Sequence, residues 1–348
     1  MNTTLPLCLL AAVSISVIGA ESPFTIETVR GRVTASWKGT PDTSGIDLAP
    51  TDDDIAALAE HPEIEVIHLS GTTRFTGKGF AALKNLPKLR ELSCNGIGPE
   101  RFSEMFPPGS LEGYHALAEL DQVTTLRFGH VMMSVEGTAI LLRGMESLEF
   151  AGFGVFADDR IVEAAADAPN LKGLTFGHWA TVPENRLTKE GAAGFARLQG
   201  LESLHTGEQD PPIGGSMRDL TGAVAKIESL QSLTLAFTSV KSRNKPKNPV
   251  AVADLEPLAT LPNLDRLGIQ LAKVDSAAAG KIAGFDSLTR VSFNHVDLGD
   301  GALTALKELP NLAVVGIWSS CEWSETDREA LQAEKPDLRF HFVGRKKR

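Results

Sequence analysis

The chain has 348 residues, 42% of them hydrophobic and 22% charged, with a formal charge of −10 at pH 7, a balance that excludes wholesale disorder. Its 32 glycines follow no three-residue period and its 19 prolines would interrupt a long continuous helix, so collagen-like and coiled-coil chains are excluded as well. As ordinary globular material this length would suggest about two or three domains.

In chain order, the first twenty residues, MNTTLPLCLLAAVSISVIGA, have no charged side chain, an apolar run from Leu5 to Ile18 and small residues before Glu21. That is the layout of a secretory signal peptide, short for a bilayer span. It predicts a secreted or periplasmic protein; the alternative is a buried N-terminal helix in a cytoplasmic one. The leader lacks Lys and Arg, and position −3 would be Ile18 or Val17. Cys8 comes too early for lipid attachment. No later stretch approaches 18 uninterrupted apolar residues, so no internal membrane span is expected. Without Cys8 only Cys94 and Cys321 remain, and no CxxC pair exists, which predicts neither a disulfide framework nor a zinc site.

From residue 64 the spacing LxxLxL recurs. It reads IEVIHL from Ile64, LRELSC from Leu89, VTTLRF from Val123, MESLEF from Met145 and LKGLTF from Leu171. It continues as LESLHT from Leu201, LQSLTL from Leu230, LDRLGI from Leu264, LTRVSF from Leu288 and LAVVGI from Leu312, with a frayed DLRFHF from Asp337. The last two apolar positions are two apart, a strand period that puts both side chains on one face. Each strand is followed by a stretch of helical spacing: GFAALKNL, GTAILLRG, RIVEAAADA, EGAAGFARL, LTGAVAKI, AAAGKIAGF and GALTALKEL. Leu and Ala recur there at three and four residues. Turns such as LPKL, APNL, LPNL and KPDL stop the helix and start the next strand. One strand and one helix cannot bury both faces alone; stacking neighbours makes a continuous core.

This pattern resembles the leucine-rich repeat family, specifically short bacterial repeats of ribonuclease-inhibitor-like shape, over about residues 46–343, including a weak first copy at IDLAPTDDDIAALAEHPE. The resemblance implies an α/β solenoid, a horseshoe with parallel strands on the concave face and helices on the convex face. Residues 1–20 are then the signal peptide, 21–45 an N-terminal cap containing Phe24 and Trp37, 46–343 the solenoid and 344–348 a basic tail. The family often places Asn, Cys or Thr just beyond each strand to bond neighbouring turns. Here Val131, Phe153, Ala272 and Val296 are among the residues at that place, so apolar packing is expected to replace the polar ladder.

The same frame gives the concave surface, where such folds usually bind proteins. In mid-array its residues are small and nearly neutral: Ser147, Glu149, Ala151, Gly173, Thr175, Gly177, Ser203, His205, Gly207, Ser232, Thr234 and Ala236. Toward the C-terminal end they become Arg266, Gln270, Arg290, Asn294 and Trp318. Interface hot spots favour Trp, Tyr and Arg, so Arg266, Arg290 and Trp318, with Asn294 and Gln270 beside them, are the expected binding residues. The alternative is a solvated sheet face.

His130, His178 and His295 share one repeat position in the third, fifth and ninth copies. Coils stack at ~4.8 Å, so the nearest two lie roughly 10 Å apart, too far to share a metal. They read as turn residues, and no metal or cofactor is expected. Cys94 and Cys321, eight coils apart, read as small core or turn residues. No HExxH, P-loop or GxSxG occurs, and GFGVFA at Gly152–Ala157 matches a dinucleotide fingerprint without a Rossmann sheet around it. Asp52, Asp53, Asp54, Asp158 and Asp159 stand just before helices, where carboxylates cap free N–H groups.

Lys241, Arg243, Lys245 and Lys247 cluster in one long insertion, and Arg345, Lys346, Lys347 and Arg348 form the tail; without these eight the remainder carries −18. An acidic scaffold without interleaved aromatics does not suit nucleic acid. The resulting reading is an exported, non-catalytic scaffold for an unidentified protein partner, working through the concave face or the loops near 96–121, 207–219 and 239–252. The alternatives are an envelope component held weakly to an anionic surface by the basic loop and tail, or an enzyme with a site built from those loops.

Overall fold

The computed structural model describes residues 23–37, 40–41, 47–48, 50–70, 76–95, 110–129, 131–155, 157–177, 187–207, 216–237, 248–318 and 321–343. The leader, His130, His178, the Lys241–Lys247 cluster, the basic tail and the centres of the three long loops lie outside these residues.

Among the described residues, 13 of the strands form one sheet. It opens with an antiparallel hairpin, Phe24–Val29 against Arg32–Trp37, turned at Arg30 and Gly31 with φ of 52° and 82°. Two consecutive positive φ values match the right-handed strand twist. The Phe24 and Trp37 rings meet edge to face at 5.2 Å. Arg32–Trp37 then pairs in parallel with Val66–Ser70. Every later pairing is parallel, through Glu91–Asn95, Thr125–Gly129, Phe150–Phe153, Gly173–Phe176, Ser203–His205, Ser232–Ala236, Arg266–Gln270, Arg290–Asn294, Val314–Trp318 and Arg339–Val343. Parallel strands need crossovers, and here each passes through a helical segment packed against the next one. Length therefore counts coils rather than domains.

Most LxxLxL copies lie in the expected frame, with both strand positions buried. The fourth does not. Phe150 pairs with Thr125 and is 37% exposed, whereas Ala151 and Phe153 are buried. The copy therefore starts at Leu148 and reads LEFAGF. Ala151, expected on the concave face, belongs to the core; Phe150, expected in the core, is outside; Phe153 is a core position, not a residue beyond the strand. Met145 instead follows helix Val135–Gly144 as its C-cap.

The helical stretches are real but mixed in type. Val135–Gly144 and Asp159–Asp167 are α-helical, while Lys78–Asn85, expected as an ordinary helix, is 3₁₀ throughout. Lys189–Gly194 and Ala302–Ala305 each run on into a 3₁₀ turn. A 3₁₀ segment rises ~2.0 Å per residue against ~1.5 Å, so it crosses the same height with fewer residues.

Apolar packing alone does not replace the missing polar ladder. A different ladder runs through the turns leading into the strands. Asn170, Asn263 and Asn311, each in a Pro-Asn-Leu turn, donate to the carbonyls of Glu146, Glu228 and Asp286 at 2.8, 2.8 and 2.9 Å. Those acidic residues begin Glu-Ser-Leu or Asp-Ser-Leu turns, whose Ser147, Ser229 and Ser287 donate in turn to the carbonyls of Val123, Leu201 and Leu264. Beyond the strands, Val131, Ala272 and Val296 are buried apolar residues as expected. Cys321 adds one polar link there: its Sγ accepts from the Val296 N–H and donates to the Phe293 carbonyl, both at 3.4 Å. Cys94 fills a core position of its strand, and burial pushes its thiol up to about 12. Leu271 and His295 turn the chain sharply out of their strands with φ of 52° and 53°. A short second sheet of Asn248–Pro249, Ala272–Val274 and Asp297–Leu298 follows.

The acidic residues divide between two roles. Asp54 and Asp158 serve their own helices, through a capping box with Thr51 and a bond from the Arg160 N–H. Asp52 and Asp159, each the first residue of its helix, serve the next coil. The Asp52 carboxylate accepts from the backbone N–H groups of Thr76, Gly77 and Gly79 and from the Thr76 hydroxyl. Asp159 takes the N–H and hydroxyl of Thr188. Partial burial works to raise the Asp52 pKa, but the bonds from Thr76, Gly79 and Gly77 together hold it below its ordinary value. A lowered carboxylate pKa stabilises the fold above the unfolded value of about 3.9, and that contribution is lost as pH falls through the folded value. Asp52→Ala is therefore expected to cost about 1–2 kcal/mol near neutral pH. In chemical denaturation the difference from wild type should shrink below about pH 4; an equal difference at pH 3 and 7 would contradict this role.

Candidate functional site

The pleat places three rows of side chains on the open strand face. In the N-terminal half its cations are neutralised. Glu91 lies between Arg32 and Arg127, at 3.0 and 3.1 Å; just ahead of the strands Lys172 meets Glu149 at 3.1 Å. His68 Nδ1 and Ser93 Oγ are 2.5 Å apart. At mid-array the Phe150 ring lies over Gly173, where a Cβ would come within 2.5 Å of it. Further on, burial pushes the half-buried His205 imidazole below its ordinary pKa, against the opposing effect of a hydrogen bond with Gln270.

The C-terminal half differs. Arg266 and Arg290 are Cα partners on adjacent strands and both are exposed. The next row beside them reads Gly268, Ser292 and Gly316 in register. A Cβ at Gly268 would sit 2.7 Å from Thr234 Oγ1, and one at Gly316 would sit 3.0 Å from Trp318 Nε1. Absence of these side chains lets Thr234 and the indole close over the floor. The result is a cleft of about 270 Å³ lined by Arg266, Arg290, Trp318, Ser232, Thr234, Ser292, Val314 and His341 around the glycines and Leu267. Trp318 is 45% exposed.

Of the five expected binding residues, Arg266, Arg290 and Trp318 line this one cleft. Gln270 and Asn294 are Cα partners on the row beyond the floor and do not line it; Gln270 is engaged with His205. Sequence reasoning passed over Ser292, Val314 and His341. The first two follow from the two-residue period, and His341 from the outward positions of DLRFHF. His295 sits at its left-handed corner, a turn residue. Among the described residues no group of three or more His, Cys, Asp or Glu side chains could hold a metal, and no helix is long and apolar enough to cross a membrane.

No family model matches the chain, and no curated protein matches it. Solved structures do. An internalin (inlF) from Listeria monocytogenes is 16% identical over 84% of this chain and 77% of its own, with a TM-score of 0.43. A chain of the yeast Rad7 and Elc1 complex is 13% identical over 83% of this chain and 78% of its own, with a TM-score of 0.48. A TLR13–ssRNA13 complex is 14% identical over 81% of this chain and 43% of its own, with a TM-score of 0.36. The likeness is one of fold. Successive LxxLxL strands stacked in parallel register, each returned through a helical segment, give this chain the leucine-rich repeat fold.

Proposed function

We propose that the protein is an exported, non-catalytic binding scaffold whose partner docks on the C-terminal half of the strand face. The observation that carries this reading is the cleft itself: paired, exposed Arg266 and Arg290 and an exposed Trp318 around a floor of small residues. Arg and Trp are the side chains that contribute most when desolvated at an interface. Export is supported by the apolar, uncharged first twenty residues.

The test is affinity capture from the producing cell with wild type, Trp318→Ala, Arg290→Glu and a helix-face control, Lys226→Glu. At least one captured protein is expected to be lost from both strand-face variants and kept by the control. An identical captured set for all four would remove the strand face from the reading. An intact Met1 in protein isolated from that cell would contradict export.

A further inference from the structure

We infer that the cleft beside Arg266 and Arg290 takes the carboxylates of an acidic peptide segment. This rests on the strand-face reading above and adds the chemistry of the occupant. In the N-terminal half of the strand face the arginines have a carboxylate partner across the strands: Arg32 and Arg127 share Glu91. In the cleft that cross-strand pairing stops. The Arg290 guanidinium makes no hydrogen bond or ion pair among the described residues, and that of Arg266 has only its sequence neighbour Asp265, at 3.5 Å.

Two guanidinium groups on adjacent rungs, with backbones ~4.8 Å apart, repel each other unless an anion lies between them. Guanidinium forks match carboxylates two bonds at a time. The cleft is therefore locally cationic on a chain of net charge −10, and complementarity selects an acidic ligand there. A nucleic acid is disfavoured, because a polyanion needs many phosphate contacts and the surrounding charge opposes it. The volume of about 270 Å³ is at or below the lower limit for whole small-molecule sites, roughly 300 Å³, so it fits part of a longer ligand. Trp318 adds an apolar wall that suits an aromatic or aliphatic side chain next to the acid.

The probes are three end-blocked peptides carrying an uncharged dye, Gly-Glu-Phe-Glu-Phe-Gly and its Gln and Lys counterparts, with a phosphoserine counterpart as a separate comparison, all titrated with the full chain by fluorescence anisotropy. The Glu peptide is expected to bind at least about tenfold more tightly than the Gln peptide, and to lose most of that advantage between about 50 and 300 mM salt. Arg290→Glu should remove the advantage. The Arg266→Glu/Arg290→Glu double variant should bind the Lys peptide instead, a gain that an unfolded protein cannot show. Equal binding of Glu and Gln peptides, tighter binding of a phosphoserine peptide than of the Glu peptide, or no binding by any of the three overturns the acidic occupant. If Trp318→Ala weakens all three peptides alike while the charge variants change nothing, the acidic occupant fails and the strand-face reading stands. If capture from the cell is also indifferent to the strand-face variants, both fail.

Discussion

Phe153→Ala is expected to destabilise the protein by about 3–5 kcal/mol, the usual cost of emptying a buried phenylalanine site, while Phe150→Ala, three residues earlier, is expected to cost about 1 kcal/mol. Phe153 is 2% exposed and lies in register between Phe128 and Phe176, both fully buried, so its loss opens a hole in a continuous stack. Phe150 is 37% exposed and touches the sheet chiefly over Gly173. Chemical denaturation of the two variants measures the difference. If Phe150→Ala were the costlier change, the fourth strand would be shifted by three residues, with Met145, Leu148 and Phe150 inward.

The next largest effect is expected one residue further on. A Cβ at Gly154 would lie 1.8 Å from the Val131 carbonyl oxygen and 3.0 Å from its carbon. That neighbour is backbone, held in the adjacent coil, and cannot swing aside as a side chain could. Gly154→Ala should therefore cost about 1–3 kcal/mol or more through forced displacement. Gly152, two residues earlier, has nothing closer than 3.8 Å to its would-be Cβ. Gly152→Ala should be neutral or stabilising by about 0.5 kcal/mol, because it restricts the unfolded chain. Opposite signs in thermal or chemical denaturation would assign the second glycine of GFGVFA to coil packing. Equal, small effects would remove that explanation.

Much of the array was legible because period two and period three-to-four place apolar residues on faces that must be buried. The fourth copy misled for a physical reason. MESLEF offers Met145, Leu148 and Phe150, bulkier core candidates than the Leu148, Ala151 and Phe153 that the sheet uses. Volume favours the first set, but helix Val135–Gly144 ends against Met145 and leaves the strand to begin later. The turn ladder was visible as alternating Glu-Ser-Leu and Pro-Asn-Leu triplets, yet its partners are carbonyls in neighbouring coils, which no local spacing reveals. The same holds for Asp52, whose bonds go 24 to 27 residues ahead. Arg266, Arg290 and Trp318 followed from outward strand positions alone. Their gathering in one cleft depends on the glycine and serine floor between them and on the lack of a carboxylate across the strands, both set by cross-strand register.

The acceptors of the turn ladder also bear on how such an array changes in length. Each Pro-Asn-Leu coil donates its amide to an acidic-Ser-Leu coil before it, and each acidic-Ser-Leu coil donates its hydroxyl one coil further back. Every acceptor is a main-chain carbonyl, which each coil presents whatever its side chains; Ser147 and Ser229 already donate to coils whose turns read Asp-Gln-Val and Gln-Gly-Leu. Excising or duplicating one coil therefore still leaves each turn donor an acceptor. The unit by which such an array can lengthen or shorten without losing its turn bonds is then the single coil.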